Sequence, residues 1–193
     1  MKRFPLVFDI ETKHTFRQFS DPTKLGISVV GAFDYSNNSF RAFFENELSG
    51  LFRLLENAEF LIGYNITGFD IPVLQGSYHG NLLDIPVLDL CDEIKMITGK
   101  RYGLSDLTKA TLGKGKSGHG LVAIELYKEK RFDELKSYCL DDVSITKELY
   151  EFGVNNGYIL YPDLSGNSKV VVDWKSGPKK KDKKNEINLG LPF

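Results

Sequence analysis

The 193-residue sequence predicts a mixed α/β domain, with strands in the first half and helices in the second. Short apolar runs rich in Val, Ile and Phe, bounded by turn residues, favour buried strands before Cys91. From Cys91 onward, apolar residues recur every three or four positions, which is the spacing of helices that bury one face. The composition, 41% hydrophobic and 26% charged, is that of an ordinary globular protein.

The predicted strands lie at residues 4–10, 27–33, 40–44, 60–64, 87–90 and 169–174. The first (FPLVFDI) is a nearly continuous apolar run, the pattern of a strand that is buried on both faces. Asn37 and Asn38 supply a turn between the second and third strands, so these two are predicted to form an antiparallel hairpin.

The predicted helices lie at residues 47–57, 69–78, 106–112, 121–130 and 132–155. The second carries Pro72 near its first turn, where proline is tolerated. Residues 113–120 (GKGKSGHG) are too rich in glycine for regular structure and predict a loop. We expect residues 1–174 to form the domain and residues 175–193 to be a Lys-rich linker that ends in an apolar peptide.

Several classes of site are disfavoured by the composition. Two cysteines and three histidines are spread without metal-binding spacing, which argues against a zinc site. No apolar run approaches the ~20 residues of a membrane span, and no signal-peptide pattern is present at the N-terminus. We therefore expect a cytoplasmic protein without a membrane partner.

Two acidic residues occupy the first predicted strand. Because strand side chains alternate, Asp9 and Glu11 project to the same face, about 6–7 Å apart at their Cα atoms. Two carboxylates in an apolar strand cost several kcal/mol unless a cation compensates them. The alternative is a strand end that reaches solvent.

Two further acids stand out downstream. Asp70 begins a predicted helix, where capping of the helix N-terminus is the alternative to a role in a site. Asp142 lies in the last predicted helix, four residues after Tyr138, so the two share a helix face. Asp141 points about 100° away from that face and is expected to be solvated.

Three segments resemble the exonuclease motifs of the DEDD superfamily in chain order: FDIET at 8–12, NITGFD at 65–70 and YCLDD at 138–142. The third has the Y-x-x-x-D form of the tyrosine subgroup, whereas the histidine subgroup would require a histidine in place of Ser137. The resemblance spans roughly residues 4–155. It implies an RNase H-like α/β fold, with a mixed central sheet flanked by helices.

The resemblance also implies a metal-dependent 3′→5′ exonuclease with two divalent cations, Mg²⁺ or Mn²⁺. Asp9 would bridge both ions, Glu11 and Asp142 would complete the site that activates water, and Asp70 would support the second ion. Tyr138 would orient the attacking water, because its free pKa near 10 makes it a poor base at neutral pH.

Substrate contacts follow from the same motifs. Thr12, Asn65 and Phe69 occupy positions where related exonucleases contact the terminal nucleotide, although a core position is the favoured alternative for Phe69. Lys114 and Lys116 could contact phosphates of the incoming strand or remain solvated in the glycine-rich loop.

The last six residues, Asn188 to Phe193 (NLGLPF), resemble the peptide by which proteins bind the bacterial sliding clamp. Binding of this kind would favour DNA at replication or repair sites, and single-stranded DNA is the expected substrate. The alternatives are an RNA 3′-end exoribonuclease, which would use the same acids, and a non-catalytic nucleic-acid-binding module.

Overall fold

A computed structural model describes residues 2–115, 121–164 and 166–179 of the chain. Five strands form a mixed sheet in the order β3-β2-β1-β4-β5. Their bounds are β1 Leu6–Thr12, β2 Ile27–Asp34, β3 Ser39–Phe43, β4 Leu61–Gly63 and β5 Val87–Asp89. The first three strands form an antiparallel meander, and β1, β4 and β5 run parallel. The predicted α/β class and the predicted hairpin are confirmed.

Helices cover both faces of this sheet. Their bounds are α1 Leu48–Asn57, α2 Asp70–Gln75, α3 Leu90–Thr98, α4 Leu104–Leu112, α5 Leu121–Lys128 and α6 Phe132–Asn156. Short 3-10 helices lie at Pro22–Lys24, Glu45–Glu47 and Leu82–Asp84. The side chains of β1 point alternately to the two faces of the sheet. Leu6, Phe8 and Ile10 therefore pack with α1 and α2, whereas Val7 packs on the opposite face with α3, α4 and α6.

The long helix α6 lies unusually close to β1 and β2. Gly31 of β2 pairs with Asp9 of β1 and faces this helix. A Cβ atom at position 31 would lie 2.9 Å from Val143 Cγ2 and 3.0 Å from Cys139 Sγ. The missing side chain therefore lets α6 approach the strand that carries the acidic pair.

A second sheet follows α6 and differs from the prediction. Strand β6, Tyr158–Asp163, pairs antiparallel with β7, Gly166–Val171, whereas the sequence indicated one strand at 169–174. Pro162 weakens the strand pattern of β6, but a two-stranded sheet leaves one edge free and tolerates a residue without an N–H. Beyond β7, Trp174 leaves the ladder and is buried against Gly153 of α6.

Other boundaries shift by a few residues. Strand β1 begins two residues later than predicted and extends to Thr12. Helix α2 ends at Gln75 rather than at 78, and α5 ends at Lys128 because Lys130 has a φ of 59°, which a helix cannot contain. None of the helices in the described ranges is long and apolar enough to span a membrane. The division at 174/175 stays a prediction, and Asn188–Phe193 lies outside the described residues.

Candidate metal centre and nucleic-acid cleft

Three carboxylates meet at the carboxyl end of β1. Asp9 and Glu11 project from the strand, and Asp142 reaches them from α6, so that one oxygen from each lies within 4.8 Å of the others. Glu11 is 8% exposed and Asp142 is 1% exposed. The shared face expected for Asp9 and Glu11 is therefore present, and the helix supplies the third acid.

Asp70 lies beside this cluster, at the edge of β1 that faces β4. Its Oδ1 accepts a hydrogen bond from the Ile10 backbone N–H at 2.8 Å. Strand β4 pairs only with Leu6 and Val7, which leaves the Ile10 amide on that edge to the side chain. Burial, and next the Asp9 carboxylate, raise the pKa of Asp70 well above its usual range. The side chain thus bonds to the sheet rather than acting as the cap of α2.

Tyr138 and Asp142 lie one turn apart on α6, and both are buried. Asp141, between them in sequence, is exposed. A cavity of about 500 Å³ adjoins Tyr138 and is lined by residues of α5 and of the first turns of α6. Asp142 is therefore buried on the same helix face as Tyr138, and Asp141 is solvated as predicted.

The donor set fits a hard divalent cation. Carboxylate oxygens are the ligands that Mg²⁺ and Mn²⁺ prefer, and three of them within 4.8 Å repel one another strongly without a compensating charge. Asp9, Glu11 and Asp142 could hold one ion directly. Asp70 lies beside Asp9 and could assist a second, so the arrangement is compatible with the predicted two-cation site.

A cleft of about 440 Å³ opens next to the acids. Besides Asp9, Glu11 and Asp70, it is lined by all three residues predicted to contact the terminal nucleotide: Thr12, Asn65 and Phe69. Phe69 packs against the core and also lines the cleft, so its position agrees with both alternatives, a core residue and a substrate contact. The exposed ring of Phe16 meets Phe69 edge-on, with 5.8 Å between centroids.

Of the two predicted loop lysines, the described one, Lys114, does not line this cleft. Lys114 forms an ion pair with Glu148 and lines a separate cavity of about 200 Å³ beside Asp142. Lys116 lies outside the described residues. A phosphate contact by either lysine stays a prediction.

Sequence reasoning missed the residue that shapes the turn before α2. Asp89, at the end of β5, is 5% exposed, and its carboxylate accepts hydrogen bonds from the backbone amides of Asn65 (2.8 Å), Thr67 (2.9 Å) and Cys91 (3.0 Å). These bonds hold the segment that carries Asn65 into the cleft. The available signal was an aspartate between a strand and a helix, a common capping position. Nothing in the sequence pointed to Phe16.

The fold recurs in solved structures. A family B DNA polymerase from Pyrobaculum calidifontis superposes with a TM-score of 0.59 at 19% identity, over 80% of this chain and 25% of the polymerase. RNase D of Trypanosoma brucei superposes with a TM-score of 0.58 at 18% identity, over 80% of this chain and 58% of that protein. The same RNase D in complex with RNA U12 superposes with a TM-score of 0.57 at 18% identity, over 80% of this chain and 56% of that protein. At these identities the likeness concerns the fold, and the chain spans less than two thirds of each protein.

No curated protein matches the sequence significantly. The RNase H superfamily model matches residues 6–153, which is more than half of the chain and contains the whole five-stranded sheet and the four acids. The mixed sheet with helices on both faces is the architecture that the resemblance implied. The chain therefore belongs to the RNase H superfamily.

Proposed function

We propose that this protein is a metal-dependent 3′→5′ exonuclease of the tyrosine subgroup of DEDD enzymes, acting on single-stranded nucleic acid. The observation that carries the proposal is the convergence of Asp9, Glu11 and Asp142 within 4.8 Å, beside Asp70 and a cleft. A buried cluster of acids costs stability, and a function that requires cations accounts for that cost.

Bound Mg²⁺ or Mn²⁺ would neutralise the charge that develops on the phosphate and make water a better nucleophile. As the family resemblance implies, Asp9 would hold both ions, and Asp70 would support the second. Tyr138 would orient the attacking water through its hydroxyl. Thr12, Asn65 and Phe69 would hold the terminal nucleotide, with the base against the Phe69 ring.

The test uses single-stranded DNA labelled at its 3′ or 5′ end, incubated with Mg²⁺. A 3′→5′ exonuclease releases the 3′ label at once as a mononucleotide and shortens the 5′-labelled strand to a ladder. Asp142→Asn, and likewise Asp9→Ala, should lower the rate by about a hundredfold or more.

Asp141→Asn is the matched control. It removes the same charge from the neighbouring position, where the side chain is exposed. Its rate should stay within about twofold of the wild type. Retention of more than a few per cent of activity in Asp142→Asn would remove that residue from the site. Tyr138→Phe should be milder than loss of an acid, and an unchanged rate would exclude the tyrosine from the mechanism.

The same assay separates the substrates. DNA is favoured if the C-terminal peptide binds a sliding clamp, whereas the RNase D fold neighbour leaves RNA 3′ ends as the second candidate. Parallel DNA and RNA strands of one sequence measure the preference. Binding of either strand without Mg²⁺-dependent cleavage would instead identify a non-catalytic module.

We also propose that Asn188–Phe193 tether the enzyme to a bacterial sliding clamp. Deleting residues 188–193 should abolish co-purification with the clamp while leaving cleavage of short oligonucleotides unchanged. Undiminished clamp binding would assign the peptide another role.

A further inference from the structure

The side chain of Asn65 accepts a hydrogen bond from an arginine. Arg101, in the segment between α3 and α4, donates from Nη1 to Asn65 Oδ1 at 2.6 Å and from Nη2 to Asp92 Oδ1 at 2.8 Å. The Thr67 hydroxyl lies 2.6 Å from Asp89 Oδ2 and 2.7 Å from Asp92 Oδ2. These side-chain bonds form a chain, and the bond from the Asn65 backbone N–H to Asp89 closes it into a ring around the turn between β4 and α2.

This ring fixes both the backbone and the side chain of Asn65. The residue has a φ of 63°, a left-handed conformation that asparagine tolerates better than most residues, and Asp89 accepts its backbone N–H. Arginine carries only donors, so the amide atom that faces Arg101 must be the oxygen. The amide NH₂ group is therefore turned away from Arg101.

The orientation determines what Asn65 can recognise. Its Oδ1 is occupied by Arg101, and within the described part of the chain its Nδ2 makes no hydrogen bond. Asn65 is half-buried and lines the cleft beside the acids. It therefore presents its two N–H donors to a molecule in the cleft, while its oxygen is turned toward Arg101.

We propose that Arg101 is a positioning residue that fixes Asn65 as a hydrogen-bond donor to an oxygen atom of the terminal nucleotide. The inference rests on the proposed function, since it takes that nucleotide as the occupant of the cleft. Arg101 acts through Asn65, because its guanidinium bonds to the Asn65 side chain and is held in place by Asp92.

A purely structural role is disfavoured by exposure. The Arg101 and Asp92 side chains are 47% and 40% exposed, and ion pairs of this kind contribute little to stability. Arg101→Ala should therefore leave the melting temperature nearly unchanged, so that a change in substrate binding reports on the cleft.

The test is a double-mutant cycle on KM for a single-stranded oligonucleotide. Arg101→Ala and Asn65→Ala should each raise KM by about five- to tenfold with kcat within about twofold, as expected for loss of one hydrogen bond to substrate. In the Asn65→Ala background, Arg101→Ala should add less than about twofold, because nothing remains to be positioned. Arg101→Lys should rescue KM in part.

Asn65→Asp gives a second, independent arm. The aspartate keeps the bond to Arg101 but replaces both donors with a carboxylate oxygen, so KM should rise at least as much as in Asn65→Ala. Arg53→Ala, which removes an exposed arginine on α1, is the matched control for loss of a surface charge and should leave KM unchanged.

Three results would overturn the proposal. They are an Arg101→Ala effect that persists in the Asn65→Ala background, an Asn65→Asp variant with normal KM, and a wild-type KM in both single alanine variants. If the wild-type enzyme does not cleave, the proposed function fails, and the same cycle measured as oligonucleotide affinity still decides the role of Arg101.

Discussion

Replacing Asp9 by asparagine should stabilise the metal-free protein while destroying its response to metal. One oxygen each of Asp9, Glu11 and Asp142 lies within 4.8 Å of the others. At that distance and an effective dielectric constant of about 20, each pair of ionised carboxylates repels by about 3.5 kcal/mol. Asp9→Asn removes two of these pairs and its repulsion with Asp70, while the side chain keeps nearly the same shape.

Partial solvent access of Asp9 relieves part of this repulsion. We therefore expect a gain of about 2 kcal/mol in the free energy of unfolding in EDTA, which corresponds to a rise of about 4–8 °C in Tm. With Mg²⁺ at about a hundred times its Kd, the wild type should gain about 2.7 kcal/mol. The variant should gain far less, so the order of the two melting temperatures should reverse.

Thermal unfolding followed by circular dichroism, in EDTA and then in Mg²⁺, measures both effects. Asp141→Asn is the control, and in both buffers its free energy of unfolding should stay within about 0.5 kcal/mol of the wild type. A variant that is less stable than the wild type in EDTA, together with an equal Mg²⁺ response in both proteins, would refute the reasoning that these acids form one cation site.

Other predictions follow from packing and burial. Gly31→Ala should lower the free energy of unfolding by about 1–3 kcal/mol, because the added methyl group would clash with α6, and the displaced helix should also lower the rate of cleavage. Adding Val143→Ala to this variant should partly restore both the stability, measured by calorimetry, and the nuclease activity. Asp89→Ala should cost about 2–4 kcal/mol in urea unfolding because it leaves several backbone donors unpaired, and a loss below 1 kcal/mol would contradict the account of that turn. Burial raises the pKa of the Cys91 and Cys139 thiols, so neither should react with a disulfide reagent at pH 8 until the protein is denatured.

The acids of the site could be predicted because their cost is local. Asp9 and Glu11 stand two apart in an apolar strand, and Tyr138 and Asp142 stand four apart in a helix, so simple periodicity places each pair on one face. Sequence spacing also distinguished Asp142 from Asp141, and burial of the first and exposure of the second agree with that choice.

Other parts depended on contacts between distant segments. Gly31 matters only because α6 crosses it, and Arg101 matters only because it meets Asn65, 36 positions earlier in the chain. Strand β6 was missed because its pattern is weak by itself and becomes ordered through pairing with β7. Loops and close approaches of this kind carry no periodic signal in the sequence.

The hydrogen bond from the Ile10 amide to Asp70 also makes this carboxylate a structural acceptor, a rung that takes the place of a strand-to-strand bond at the edge of β1. An asparagine can keep the rung while losing the charge, whereas an alanine loses both, so the two substitutions should be compared before any effect is assigned to catalysis. A relative that had abandoned cleavage would still need an acceptor at this position to close the edge of its central strand. We therefore expect the loss of Asp9 or Glu11, rather than of Asp70, to mark the inactive members of such a family.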